Sequence, residues 1–224
     1  MANNTKIKKI KTKASDMLFL AVLAYLACAA VYPVIESLIV WTPLIDTIQI
    51  GNKAWTVIAQ IVSCLCWGAS AYFIWRASKK CGFDPLGDTN KPKAIEWIVL
   101  ISGTVVFAAV FVIIDKGFAG IVANVRTGVM YLIFMAVQVA LRCLVISLAQ
   151  KWGELAFPKW SGYIPYGGIV LGLLMFTVNL ISGGGEITAL ILFAIHLYFG
   201  ALFTFSGKKL WLLTPAVYLM LLMM

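Results

Sequence analysis

Seven apolar stretches of helix-like length follow one another along the chain: Met17–Val40, Ala54–Trp75, Ala94–Ile114, Thr127–Gln150, Ile164–Ile181, Ile187–Phe205 and Leu210–Met224. Most reach the roughly 20 residues that cross a hydrocarbon core about 30 Å thick. The last is the shortest, and reads as a short crossing, a half-helix, or a segment buried against its neighbours. The pattern predicts an all-α, polytopic helical membrane protein with six to seven transmembrane segments. It forms a single transmembrane domain over 17–224 behind a basic cytoplasmic tail over 1–16.

The polar positions fall mainly between these stretches. The longest connection, KKCGFDPLGDTNKPK from Lys79 to Lys93, carries Gly82, Pro85, Gly87 and Pro92, which is turn chemistry and not a further domain. Trp160 and Tyr163 to Gly168 stand at the edge of the fifth segment, where aromatic anchors belong, and Pro165 suits a first helical turn. SGGGE, from Ser182 to Glu186, is short enough to force the fifth and sixth segments into an antiparallel pair. The chain shows neither an internal repeat nor a heptad pattern. Gly168-x-x-x-Gly172 is a small-residue spacing that permits close helix contact, and Gly200 is a third such position.

Composition agrees with the pattern. The chain is 62% hydrophobic and 12% charged, which excludes a disordered chain and fits an integral membrane protein. The net charge of +9 gains meaning from its placement. Lys6, Lys8, Lys9, Lys11 and Lys13 precede the first segment. Arg76, Lys79, Lys80, Lys91 and Lys93 flank the second-to-third connection, Lys151 and Lys159 follow the fourth segment, and Lys208 and Lys209 follow the sixth. With the amino terminus in the cytoplasm, these fourteen of the eighteen basic residues share one side, opposite Lys53, Lys116 and Arg126. Such a split is the positive-inside signature of a multi-pass protein of the cell membrane. The basic excess therefore points to a lipid bilayer, not to nucleic acid. The amino-terminal stretch resembles the start of a signal peptide, but no clean cleavage site follows, and the first segment reads as a retained anchor.

No metal or other cofactor is expected. Cys28, Cys64, Cys66, Cys81 and Cys143 lie within segments or on the cytoplasmic side and read as small apolar fillers. Cys64 and Cys66, two apart, point to different helix faces and make a poor metal pair. His196 is the single histidine, mid-segment, with no ligand partner at zinc spacing. Ser147 and Ser182 have no activating base placed by sequence.

Arg142 is the chemical anomaly. An intramembrane Arg costs about 2.5–3.5 kcal/mol on insertion scales, so it normally has a partner or a water-filled cavity. No acid shares its segment. Gln138, four residues earlier, shares its helical face. That face lines a polar cavity, or Arg142 is held structurally by backbone carbonyls and polar groups on neighbouring helices, the reading the residues alone favour. Asn179 and Glu36 lie near the outer ends of their segments, with Pro33 placed to kink the first helix near Glu36. Asp115, Arg126 and Glu186 belong to the outer rim, and Asp84 and Asp88 to the solvated connection.

Three stretches, in order, resemble the CAAX-protease and bacteriocin-processing (CPBP, Abi) family of intramembrane proteases. The first family motif, E-E-x-x-x-R, aligns with Val137-Gln138-Val139-Ala140-Leu141-Arg142, followed by Cys143, Leu144 and Val145. The second, F-x-x-x-H, aligns with Met175-Phe176-Thr177-Val178-Asn179. The third runs from Phe199-Gly200-Ala201-Leu202-Phe203 through Ser206-Gly207-Lys208-Lys209-Leu210-Trp211, and the family's closing polar positions then fall at Val217 and Leu221. The resemblance covers about residues 76–224 and implies an intramembrane-protease core fold.

It also implies a lost active site. Arg142 is kept, but the glutamates are Val137 and Gln138 and the histidine is Asn179. Gln138 cannot accept a proton as a carboxylate does, and Asn179 cannot act as a general base. The expectation is a pseudoprotease with no catalytic residues, whose cavity of Gln138, Arg142, Asn179 and His196 binds a hydrophobic peptide, a transmembrane helix or a partner membrane subunit. Bacteriocin immunity and accessory roles in peptide export or maturation are what the family suggests. Two alternatives stand beside it: an active protease using Glu36, Glu186 or His196, and a membrane transport subunit.

Overall fold

In a bilayer every backbone N–H and C=O must be satisfied within the protein, so long apolar runs become helices. The computed structural model describes residues 2–41, 52–87, 91–115, 128–160, 162–183 and 185–223, and among these all regular structure is helical. The helices are α1 (Ala2–Trp41), α2 (Asn52–Lys80), α3 (Ala94–Asp115), α4 (Val129–Ala156), α5 (Tyr166–Ile181), α6 (Glu186–Phe205) and α7 (Leu210–Leu222), with a single 3₁₀ turn at Pro158–Trp160. Several extend beyond the apolar run that predicts them. The α1 helix already includes the lysine-bearing residues 6–13. The α2 helix continues to Lys79 and Lys80, cations that suit the negative end of its dipole. The α4 helix adds a final polar turn in which Lys151 and Glu154 pair at 3.8 Å.

Among the described residues, four stretches are long and apolar enough to cross a membrane: Lys13–Val31, Val57–Lys80, Val129–Ala156 and Glu186–Phe205. The helical parts Ala94–Val110, Tyr166–Ile181 and Leu210–Leu222 are apolar but shorter. Large apolar side chains also cover the outside: Phe19, Leu65, Ile98, Val105, Ile181 and Ile187 are all more than half exposed. An apolar exterior around an apolar core suits lipid, not water. The chain is thus helical and membrane-like in character.

At the centre stands α4. Every residue from Cys143 to Gln150 is buried, as expected of a helix that is apolar on all sides. Partner helices tie to it by single polar bonds in apolar surroundings. The Tyr218 hydroxyl of α7 donates to the Leu132 carbonyl at 3.2 Å, and the Cys28 thiol of α1 approaches the Gln138 carbonyl at 3.9 Å. The fully buried Trp67 of α2 donates its indole N–H to the Ala27 carbonyl of α1 at 2.8 Å. On the far side, the Tyr198 hydroxyl of α6 donates to the Gly103 carbonyl of α3 at 2.6 Å.

Glycine decides the α5–α6 crossing. A Cβ at Gly168 would stand 2.8 Å from Gly200 Cα, and one at Gly172 would stand 2.8 Å from the Phe193 ring. Contacts that move back along α6 as they move forward along α5 make the pair antiparallel, and bare backbone lets the two approach closely.

The polar connections converge at one end. The Ser147 hydroxyl at the base of α4 donates to the Pro85 carbonyl at 2.9 Å. The turn from α6 to α7 uses two left-handed residues, Gly207 (φ 82°) and Lys208 (φ 58°). It packs under Gly87, where a Cβ would stand 2.7 Å from the Lys208 carbonyl oxygen. Lys209 pairs with Glu96 of α3 at 2.7 Å, and Lys208 pairs with Glu154 of α4. Lys13, Lys151, Lys208 and Lys209, far apart in the sequence, are thereby brought to one end of the bundle.

Candidate functional site

Arg142 lies midway along α4, and the helices around it are placed by the contacts above. Its Nη2 donates to Gln138 Oε1 at 3.3 Å, one turn back on the same helix. The neighbouring wall is α1. Cys28 and Tyr25 both lie within the field of the guanidinium. Tyr25, nearly buried, donates its hydroxyl to the Leu174 carbonyl of α5 at 3.1 Å and touches the Met175 sulfur at 4.0 Å. Tyr25 therefore joins α1 to α5 at the level of the Arg. His196 of α6 also lies within the field of Arg142.

His196 is 1% exposed and lies edge-on to Phe199, ring centroids 5.8 Å apart. Its Nδ1 is 2.7 Å from the Leu192 carbonyl. A carbonyl only accepts, so Nδ1 carries the hydrogen and Nε2 presents a bare lone pair. Nε2 has no partner. The close approach of Gly168, whose Cβ would stand 2.7 Å from the His196 carbonyl oxygen, presses α5 against this part of α6.

Five buried side-chain polar atoms among the described residues have no hydrogen-bond partner, and three are Arg142 Nε, Asn179 Oδ1 and His196 Nε2. They belong to α4, α5 and α6. Buried polar groups are nearly always satisfied, so each such atom asks for an explanation such as a ligand or water. Together they offer one donor and two acceptors.

The structure thus bonds Gln138 to Arg142 and places His196 within reach of the Arg142 charge. Asn179 stands one turn beyond Met175 on α5, and among the described residues nothing bonds its side-chain oxygen to the others. Gly168, Gly172 and Gly200 lie at the α5–α6 crossing beside the locus. Val217 and Leu221 belong to the apolar core. Glu186 is exposed at the start of α6, about 15 Å along the helix from His196 at 1.5 Å per residue. Glu36, Pro33 and Asp115 have side chains outside the described residues, as do Asp88, Lys116 and Arg126.

The sequence pattern does not single out Tyr25, and it marks Cys28 only as a small apolar filler. Nothing in the apolar pattern of α1 shows which of its faces meets α4, although a tyrosine inside a lipid-length run needs a partner for its hydroxyl. It also passed over Gln150. This side chain, 1% exposed, accepts from the Gly167 N–H at 3.2 Å and donates to the Ile164 carbonyl at 3.2 Å. It caps α5, whose own N-terminal residue supplies no side-chain bond.

No group of three or more His, Cys, Asp or Glu among the described residues is arranged to hold a metal ion. Outside the helices, Asp84 feels partial burial, which opposes its charge. The Lys79 ammonium at 2.9 Å, the Trp75 indole N–H at 3.0 Å and the Leu86 amide outweigh that and hold its carboxyl below the usual carboxylate range.

No protein-family model, curated protein or solved structure matches this chain.

Proposed function

We propose that this chain is a plasma-membrane protein with six to seven transmembrane segments and a cytoplasmic amino terminus. It binds a hydrophobic peptide, a transmembrane helix or a partner membrane subunit without cutting it. The observation that carries this reading is Arg142: a cation in the central helix, bonded to the neutral Gln138 and, among the described residues, to no acid. The unpaired Arg142 Nε, Asn179 Oδ1 and His196 Nε2 match the mixed donors and acceptors of a peptide backbone or a polar intramembrane side chain. The resemblance to the CPBP, or Abi, family supports the same reading through Arg142, kept where the two glutamates are replaced by Val137 and Gln138. A photocrosslinking residue at Met175 in native membranes is expected to give a discrete adduct that disappears with Arg142→Leu. Wild-type membranes without any adduct, or an adduct indifferent to Arg142, contradict the reading.

One observation favours a second reading. A buried histidine with a bare Nε2 has the form of a general base. Hydrolysis there would depend on His196, and His196→Ala would abolish cleavage of a hydrophobic peptide by the purified protein. The binding reading predicts no cleavage by either form.

A further inference from the structure

Away from Arg142, at the basic end, a hollow of about 200 Å³ opens between three parts of the chain. Lys13 and Met17 of α1 line one side, Cys81, Gly82 and Phe83 another, and Lys151 and Leu155 of α4 the third. Lys13 marks the point where the apolar, membrane-length part of α1 begins, and Lys151 follows directly on the fully buried stretch of α4. Both place the hollow at the height where hydrocarbon gives way to headgroups.

Its charge is only partly compensated. Glu154 is taken by Lys208, so its contact with Lys151 is a long 3.8 Å, and Asp84 is taken by Lys79. Lys13 has no acidic partner among the described residues. The Lys151 ammonium instead lies 5.6 Å from the centre of the Phe83 ring. Gly82, left-handed at φ 80°, lies beside Lys13: a Cβ there would stand 3.7 Å from Lys13 Nζ. Two ammonium groups above a floor of Met17, Phe83 and Leu155 form an amphiphilic site, cationic at the rim and apolar beneath.

We propose that this hollow binds the phosphate headgroup of an anionic phospholipid. Lys13 and Lys151 clamp the phosphate, and the start of an acyl chain follows the apolar floor toward the bilayer. The site is separate from the Arg142 locus and does not depend on its function. Diffuse attraction of basic residues to an anionic leaflet needs no cavity. A hollow lined by one lysine from each of two helices, above apolar side chains, offers a defined seat.

The test is native mass spectrometry of the full chain extracted from bilayers of phosphatidylcholine and phosphatidylglycerol. Wild type is expected to retain one phosphatidylglycerol, and K13Q/K151Q to lose about thirtyfold in affinity for it. K93Q/K159Q removes the same charge from the same end outside the hollow and is expected to stay within about threefold of wild type. K13R/K151R, which keeps the charge, restores retention and shows that the site still folds. Equal losses in the two glutamine pairs would overturn the proposal in favour of diffuse attraction. Retention unchanged in K13Q/K151Q would overturn it outright. Displacement of the lipid by millimolar inorganic phosphate would reassign the site to a soluble phosphate.

Discussion

Gly168 of α5 and Gly200 of α6 meet backbone to backbone, so closely that a Cβ on Gly200 would collide with the Gly168 Cα and nitrogen. The contact brings α5 against the turn of α6 that carries His196. It links helix packing to the candidate site, because neither helix can move apart without shifting the polar atoms around Arg142.

Substitution at this crossing is therefore expected to be severe. Gly200→Val forces backbone against backbone and should lower stability by about 1–3 kcal/mol or more. Gly68 has nothing within 4 Å of its would-be Cβ, so Gly68→Ala should be nearly neutral. Thermal denaturation in mild detergent distinguishes the two, and equal effects would contradict the assignment of the crossing.

Gln150→Leu keeps the size of the side chain but strands the Gly167 N–H, while the Ile164 carbonyl keeps only its bond from the Tyr166 N–H. Leaving such a group unsatisfied costs about 1–3 kcal/mol. The expected outcome is a lower melting temperature with faster amide exchange confined to the first turn of α5. Unchanged exchange at Gly167 would show that Gln150 does not cap that helix.

Glu96 and Lys209, both largely shielded, tie α3 to the start of α7. Removing one partner leaves the other without its counter-charge, whereas removing both does not. Glu96→Gln and Lys209→Met should each destabilise, and the double variant should destabilise less than their sum. Additive effects in that double-mutant cycle would mean the pair is uncoupled.

The folded-state carboxyl of Asp84 is held below its unfolded value, so its contribution to stability is present above that value, about 3.9. It is lost as pH falls further, through the depressed folded value. Acidification below about pH 4 should loosen the 81–87 connection, read as a change in Trp75 fluorescence. Asp84→Asn should show this loosened state already at neutral pH, with no further acid step.

Much of the helical layout is legible in the sequence, because lipid-length apolar runs leave the backbone few alternatives. Glu186–Phe205 starts one residue before the run that predicts it. The ends are less legible where polar sequence continues a helix: α4 runs to Ala156, past Gln150, since Lys151 and Glu154 pair along its surface. Gln138 and Arg142 are legible as a pair because four residues make one turn. Tyr25, Cys28 and Gln150 are not, since their partners lie on other helices and no local pattern announces which faces meet. The same holds for the pairs Glu96–Lys209 and Ser147–Pro85, which exist only once the connections have been gathered at one end.

Under the proposed function, Arg142 holds a bound polypeptide. The most direct measurement compares wild type with Arg142→Leu, each extracted in mild detergent from the same membranes and weighed intact by native mass spectrometry. A peptide or membrane-protein adduct on the wild type, absent from an Arg142→Leu protein with an unchanged melting temperature, is the predicted result. A bare wild-type chain, or the same adduct on both proteins, would contradict it.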